Sequence, residues 1–221
     1  MRILAFVLFA CVALPSIPQQ DRSAQNPAVP GAPFTLTQVW TLDATYSDEQ
    51  HGVTFRYPRI WEPEVQFGYN SPALTVMTPK PIAGFGYDEG GFPRDRVVGP
   101  YSKTNLEGFG IVYSAVPAAN ATECDARAAS MSESPEHRTV VFGGRAYSER
   151  ESSEAGMSQS NSGKLYATYV HPNCYLFETD VAIISQDGIA TLTPAQQRFI
   201  DAHLLDIMKS VRIMPSEGKP D

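Results

Sequence analysis

Apolar side chains recur at every second position through much of this chain, the spacing of strands with one face against a core. In residues 34–42, FTLTQVWTL, the positions Phe34, Leu36, Gln38, Trp40 and Leu42 fall on one side and mostly threonines on the other, which predicts a half-buried strand. In residues 53–57 the aligned side chains are Val53, Phe55 and Tyr57; Pro58 ends the strand because it has no N–H for a ladder. Trp61 follows one short turn later, so three strand side chains and an indole are expected to close one corner of a core. Further strands are expected at 74–77, at 108–116 (GFGIVYSAV), and as a hairpin of 139–142 with 145–150 across Gly143-Gly144, two residues that tolerate positive φ. Residues 165–170 and 174–184 form another pair around His171-Pro172-Asn173; neither has a wholly polar face, so both faces should be at least partly covered. Residues 210–214 finish as a short strand.

Two stretches change period from two to three or four. From Asn120 or Thr122 as cap, a helix should run to about Met131, with Glu123 near the positive end of its dipole and Cys124, Ala128 and Met131 on one face, so that Cys124 points inward. Thr193-Pro194-Ala195-Gln196 combines an N-cap threonine, a proline at the first helical position and a glutamine placed for a capping box. This second helix should reach about Lys209 and bury one stripe, Phe199, Ile200, Leu204, Ile207 and Met208 among it, with His203 as a packed side chain at its edge.

Residues 79–101, PKPIAGFGYDEGGFPRDRVVGPY, show no sustained period and read as a long loop. If the protein has a ligand or partner site, Phe85, Tyr87, Asp88, Glu89 and Arg94 are its expected contributors. The glycine spacing there lacks the strand-to-helix setting of a phosphate loop.

The first residues, Arg2 and then an uncharged apolar run from Ile3 to Leu14, have the pattern of a secretory signal peptide and are too short for a spanning helix, which needs roughly 20 apolar residues. The expected division is a signal peptide at 1–16, a Pro-rich linker at 17–33, one folded domain at 34–214 and a polar tail at 215–221. An alternative takes Leu8-Phe9-Ala10-Cys11 as a lipoprotein box with a lipid anchor at Cys11, although Phe9 is bulky for that motif. No transmembrane domain is expected.

Export bears on the cysteines. Beyond Cys11 the chain has only Cys124 and Cys174, so an oxidising compartment leaves one intramolecular pairing. The competing set, His171 and Cys174 with Cys124 and His137 around a metal, lacks the second close ligand pair of a four-ligand zinc site. The reading is therefore a disulfide, no metal and no cofactor. A net charge of -7 without a basic stripe argues against a nucleic-acid partner.

No nucleophile elbow, zinc-protease helix, Walker loop or calcium loop is present; Gly156-Met157-Ser158-Gln159-Ser160 lacks the closing glycine of the first. Acidic pairs occur at Asp88-Glu89 and around Arg150 at Glu149 and Glu151, and they read as solvated charges. No catalytic residue is assigned.

Two segments together resemble a known family. YSDEQHGVTFRYPRIW, from Tyr46 to Trp61, is similar to the opening of domains like PsbP, the extrinsic subunit of photosystem II, and FIDAHLLDIMKSVRI, from Phe199 to Ile213, is similar to their closing helix and strand. The resemblance implies an α+β fold, an α/β/α sandwich with a central antiparallel sheet, of a kind used mostly by accessory or protein-binding modules. The expectation is an exported, periplasmic, extracellular or envelope-associated protein that binds a protein or envelope component without catalysis. The alternative is a small secreted hydrolase with a site between the 79–101 segment and the sheet.

Overall fold

The alternating residues 53–57 fold as a strand, and the side chains that alternation aligns, Val53, Phe55 and Tyr57, are the buried ones. In this computed structural model the described residues are 34–63, 81–89, 99–133, 135–155, 159–185 and 188–214. The expected leader, linker, strand at 74–77 and tail lie outside them, as do Arg94 and residues 156–158. The strands are β1 (Ala44–Asp48), β2 (Val53–Tyr57), β3 (Glu62–Pro63), β4 (Ala83–Asp88), β5 (Leu106–Pro117), β6 (Arg138–Phe142), β7 (Arg145–Ala155), β8 (Gln159–Val170), β9 (Asn173–Ile184) and β10 (Arg212–Ile213). The helices are α1 (Leu36–Trp40), α2 (Ala121–Ser130) and α3 (Pro194–Ser210).

Seven strands form one antiparallel sheet in the order β3-β4-β5-β9-β8-β7-β6, and β1-β2-β10 form a smaller one. The fold is α+β. The chain leaves the middle of the large sheet at the end of β5, passes through α2 to the far edge at β6, and returns by meander until β9 lies beside β5. Cys124, in the first turns of α2, is joined to Cys174, whose strand partner is Val116 of β5, with Cα atoms 5.2 Å apart. The disulfide therefore closes the whole 50-residue excursion where it begins and ends. It consumes both sulfurs of the set weighed as a metal site.

The period of two along each strand sorts side chains onto two faces of the large sheet. On one face Leu165, Ala167, Cys174 and Leu176 pack under Cys124 and Ala128 of α2 and Met131 at its C-cap. Arg150 of β7 reinforces that contact: its guanidinium donates to Asp125 Oδ1 on α2 at 2.6 Å and to the Pro135 carbonyl. On the other face Tyr113, Tyr147, Tyr166, Tyr175, Phe177 and Val181 meet the small sheet and the Ile200, Leu204, Ile207 and Met208 stripe of α3. Both faces of β8 and β9 are covered, which is why their sequence shows no polar side.

The caps form as the sequence predicts. Thr193 and Gln196 make a reciprocal capping box, Asn120 accepts from the Glu123 amide at 2.9 Å, and each cap contributes about 1 kcal/mol. Gly143 and Gly144 take φ of +57° and +79° at the β6–β7 turn.

Two expectations are corrected. Residues 34–42 are not a strand: Thr35 and Gln38 form a second capping box, and Leu36–Trp40 is a short helix that buries the adjacent pair Val39 and Trp40. One helical turn can seat two neighbouring large side chains where a strand would put them on opposite faces. The 79–101 segment is not a loop throughout, because Ala83–Asp88 pairs with β5 along its length, with Phe85 opposite Ile111 and Tyr87 opposite Phe109.

Candidate binding cleft

Alternation along β7 places Glu149 and Glu151 on the α3 side of the sheet, and strand register decides what each carboxylate meets. Glu149 lies opposite Tyr166 and Glu151 opposite Lys164 on β8, while Arg138 on β6 lies opposite Glu149 from the other side. Arg138 Nε donates to Glu149 Oε1 at 2.7 Å, Lys164 Nζ is 3.8 Å from the same oxygen, and Lys164 also bonds Glu151. Glu149 is buried while Arg138 is exposed, so the pair is a charge drawn inward and answered from the rim.

The N-terminal half of α3 forms the opposite wall. Gln197 and Asp201 are one turn apart, and Gln197 Nε2 donates to Asp201 Oδ1 at 3.0 Å. Between helix and sheet lies a cleft of about 390 Å3 that also touches Ser162, Thr179, Leu204 and Leu205. Partial desolvation at the cleft wall pushes the Asp201 carboxyl above the ordinary aspartate range although the residue is largely exposed; its bond from Gln197 and the Lys164 ammonium pull it back, and Glu151 pushes it further up. Burial also raises the Tyr166 phenol, with Glu149 adding to the effect, so Tyr166 offers a protonated hydroxyl. Three carboxylates and two cations thus share one concavity.

No family model and no curated protein matches the chain. Among solved structures, one of a Bacteroides thetaiotaomicron VPI-5482 protein is 12% identical, with 81% of this chain and 51% of that one covered and a TM-score of 0.41. This chain spans about half of that protein's length. Another is LpqN, described as involved in cell envelope biogenesis of Mycobacterium tuberculosis, at 9% identity, with 74% and 83% covered and a TM-score of 0.39. Both likenesses are partial and distant.

Of the contact residues expected from the sequence, Phe85, Tyr87, Asp88 and Glu89 do not line this cleft. Phe85 is buried among Tyr46, Phe55 and Tyr57, and Tyr87 stacks on Phe109 with ring centroids 5.3 Å apart. Glu89 is buried and accepts from the Tyr101 amide at 2.7 Å, Asp88 is exposed, and Arg94 falls outside the described residues. Burial pushes the Glu89 carboxyl up to about 7; the bond from the Tyr101 amide acts against this, and the Asp88 charge adds to it. A side chain at Gly99 would collide with the Tyr87 hydroxyl, so this corner closes only around glycine. The structure brings Phe85, Tyr87 and Glu89 together as core. Glu149 and Glu151, set aside in the sequence as solvated, line the cleft; their signal was two acids at i and i+2 of a strand.

His203 is half-buried, its ring 4.9 Å from that of Trp40 and its Nδ1 bonded to the Phe199 carbonyl at 2.8 Å. It is a packing residue of α3.

Proposed function

We propose that the protein is an exported binding or assembly accessory module of the cell envelope, built on a PsbP-like scaffold, and that it holds an amino-bearing ligand or partner group in the cleft beneath α3 without transforming it. The proposed organisation is a signal peptide at 1–16, a linker at 17–33, one domain at 34–214 and a tail at 215–221. Export is supported by the apolar leader and by a disulfide that closes the central crossover, a bond that oxidising compartments maintain. The PsbP-like reading rests on the resemblances at 46–61 and 199–213, and a helix-covered antiparallel sheet accords with it.

The observation that carries the binding reading is the charge inventory of the cleft. Glu149 already accepts from Arg138 and Glu151 from Lys164, so neither carboxylate stands ready as a free base or nucleophile. Asp201 leaves one acid in excess, which favours an ammonium group over an anion or a nucleic acid. The 390 Å3 volume suits a small group or one side chain of a larger partner.

Backbone amide NMR of the mature protein with Nα-acetyl-lysine amide as probe tests this. Saturable shifts confined to β7, β8 and the first half of α3 are expected. Shifts spread evenly over the acidic surface would reject the cleft.

One observation favours the hydrolase reading, a buried carboxyl at Glu89 raised to about 7 beside the Tyr87 hydroxyl. A protein of that kind would turn over p-nitrophenyl esters and lose the activity in Glu89→Gln.

A further inference from the structure

Beyond the C-terminal end of α3, on the same face of the sheet, lies a second cavity of about 520 Å3. The Gly143-Gly144 turn forms one wall and residues 211–214 the other, with Phe142, Tyr147 and Thr168 between them. Two arginines, Arg145 and Arg212, line it. Among the described residues no acid lines it, unlike the cleft.

Each arginine is held by part of its fork. Arg212 Nη1 donates to the Lys209 and Val211 carbonyls, both at 2.8 Å, where α3 leaves carbonyls without intrahelical partners. Arg145 Nη2 donates to the Ile213 carbonyl at 3.3 Å. A guanidinium has five N–H groups, so these bonds fix the stems and leave most of both forks to the cavity. The turn makes room for them: a Cβ on Gly143 would stand 3.0 Å from Arg212 Nη1.

Four other arginines are each answered by an acid, Arg59 with Asp43, Arg127 with Glu123, Arg138 with Glu149 and Arg150 with Asp125, while Arg56 donates to the Leu42 carbonyl. Among the described residues neither Arg145 nor Arg212 has a carboxylate within 4.0 Å. Helix capping explains a cation at Arg212; it does not explain a second one across the same cavity.

We propose that this cavity binds an oxyanion carried on an apolar body, with the free edges of Arg145 and Arg212 holding the charged head. Planar guanidinium forks match the oxygen spacing of carboxylate and phosphate alike, so the shared chemistry is a bidentate oxyanion. Phe142, Val211 and the exposed Met214 supply apolar surface for the body. The Tyr147 phenol, pushed up to about 12 by burial and drawn back by both arginines, stays protonated and can donate to the same head. The inference is independent of the cleft under α3, since none of its residues lines that site.

The test is NMR titration of the mature protein, following amides at 142–147 and 211–214 and the arginine side-chain Nε–H groups. The probes are phenyl phosphate, phenylacetate, inorganic phosphate and benzylammonium. Saturable shifts with phenyl phosphate, phenylacetate or both are expected, and which of them binds tighter identifies phosphate or carboxylate as the preferred head. Inorganic phosphate should bind more weakly than phenyl phosphate. Arg145→Gln and Arg212→Lys should each weaken binding by about tenfold or more, as loss of a charge-assisted bidentate contact implies. Arg212→Lys keeps the charge at the helix end, and Arg145 makes a single backbone bond, so an unchanged melting midpoint in Arg145→Gln keeps the result interpretable. Benzylammonium shifting the same amides as strongly, no saturable shift with either aromatic anion, or unchanged affinity in folded Arg145→Gln would overturn the proposal.

Discussion

The indole N–H of Trp61 donates to the Val39 carbonyl at 2.9 Å, joining the exit of β2 to the short helix that opens the described fold. The ring lies edge-on to Trp40 at 5.8 Å and beside Phe109 at 5.6 Å, so the corner marked by alternation and a tryptophan is a packed junction of α1, β2 and β5. Trp61→Phe retains most of the apolar area but leaves the Val39 carbonyl without its donor, at a cost of about 1–2 kcal/mol. Trp61→Ala should cost about 3–5 kcal/mol. Urea unfolding of the two variants measures both, and equal losses would contradict the role given to the hydrogen bond.

The Cys124–Cys174 bond ties the two ends of the crossover. By chain entropy a closed loop of this length contributes about 4 kcal/mol. The double variant Cys124→Ala, Cys174→Ala should lose stability of that order, while intact-mass analysis of the unreduced mature protein should find both thiols blocked.

Glu89 gives the protein a pH dependence of definite sign. Its carboxyl is raised from 4.5 to about 7 by burial, so between those values the folded state binds more protons than the unfolded one, and stability falls as pH rises. The contribution is fully present below about pH 4.5 and lost as pH rises through about pH 7, an effect on the order of 3 kcal/mol. Glu89→Gln keeps an acceptor for the Tyr101 amide and cannot ionise, so its melting midpoint should change less than that of the wild type between pH 5 and pH 8.

Much of this architecture is legible in the sequence where two levels of pattern agree. At 193–209 a capping box precedes a helical stripe, and at 143–144 paired glycines separate two alternating runs; both elements form as expected. At the start of the described fold the two levels conflict. Thr35 and Gln38 carry the same capping signature as Thr193 and Gln196, but alternating Phe34, Leu36 and Trp40 suggest a strand, and only the burial of neighbouring Val39 and Trp40 decides for a helix.

In β4 the period of two is present but written in glycine, as Gly84-Phe85-Gly86-Tyr87, and it faces Gly108-Phe109-Gly110 across the ladder. Glycine's turn preference hides a core strand there. The cleft was hidden for another reason. That Glu149 meets Arg138, and Glu151 meets Lys164, depends on strand register, which alternation alone leaves open to shifts of two.

The charge pattern of the cleft carries the account, and calorimetric titration of the mature protein with Nα-acetyl-lysine amide against Nα-acetyl-norleucine amide tests it most directly. Wild type should prefer the lysine probe, and the preference should fall about tenfold in Glu151→Gln combined with Asp201→Asn, both exposed enough to leave the fold intact. Equal affinity of the wild type for the two probes, or a preference that survives the double substitution, would contradict it.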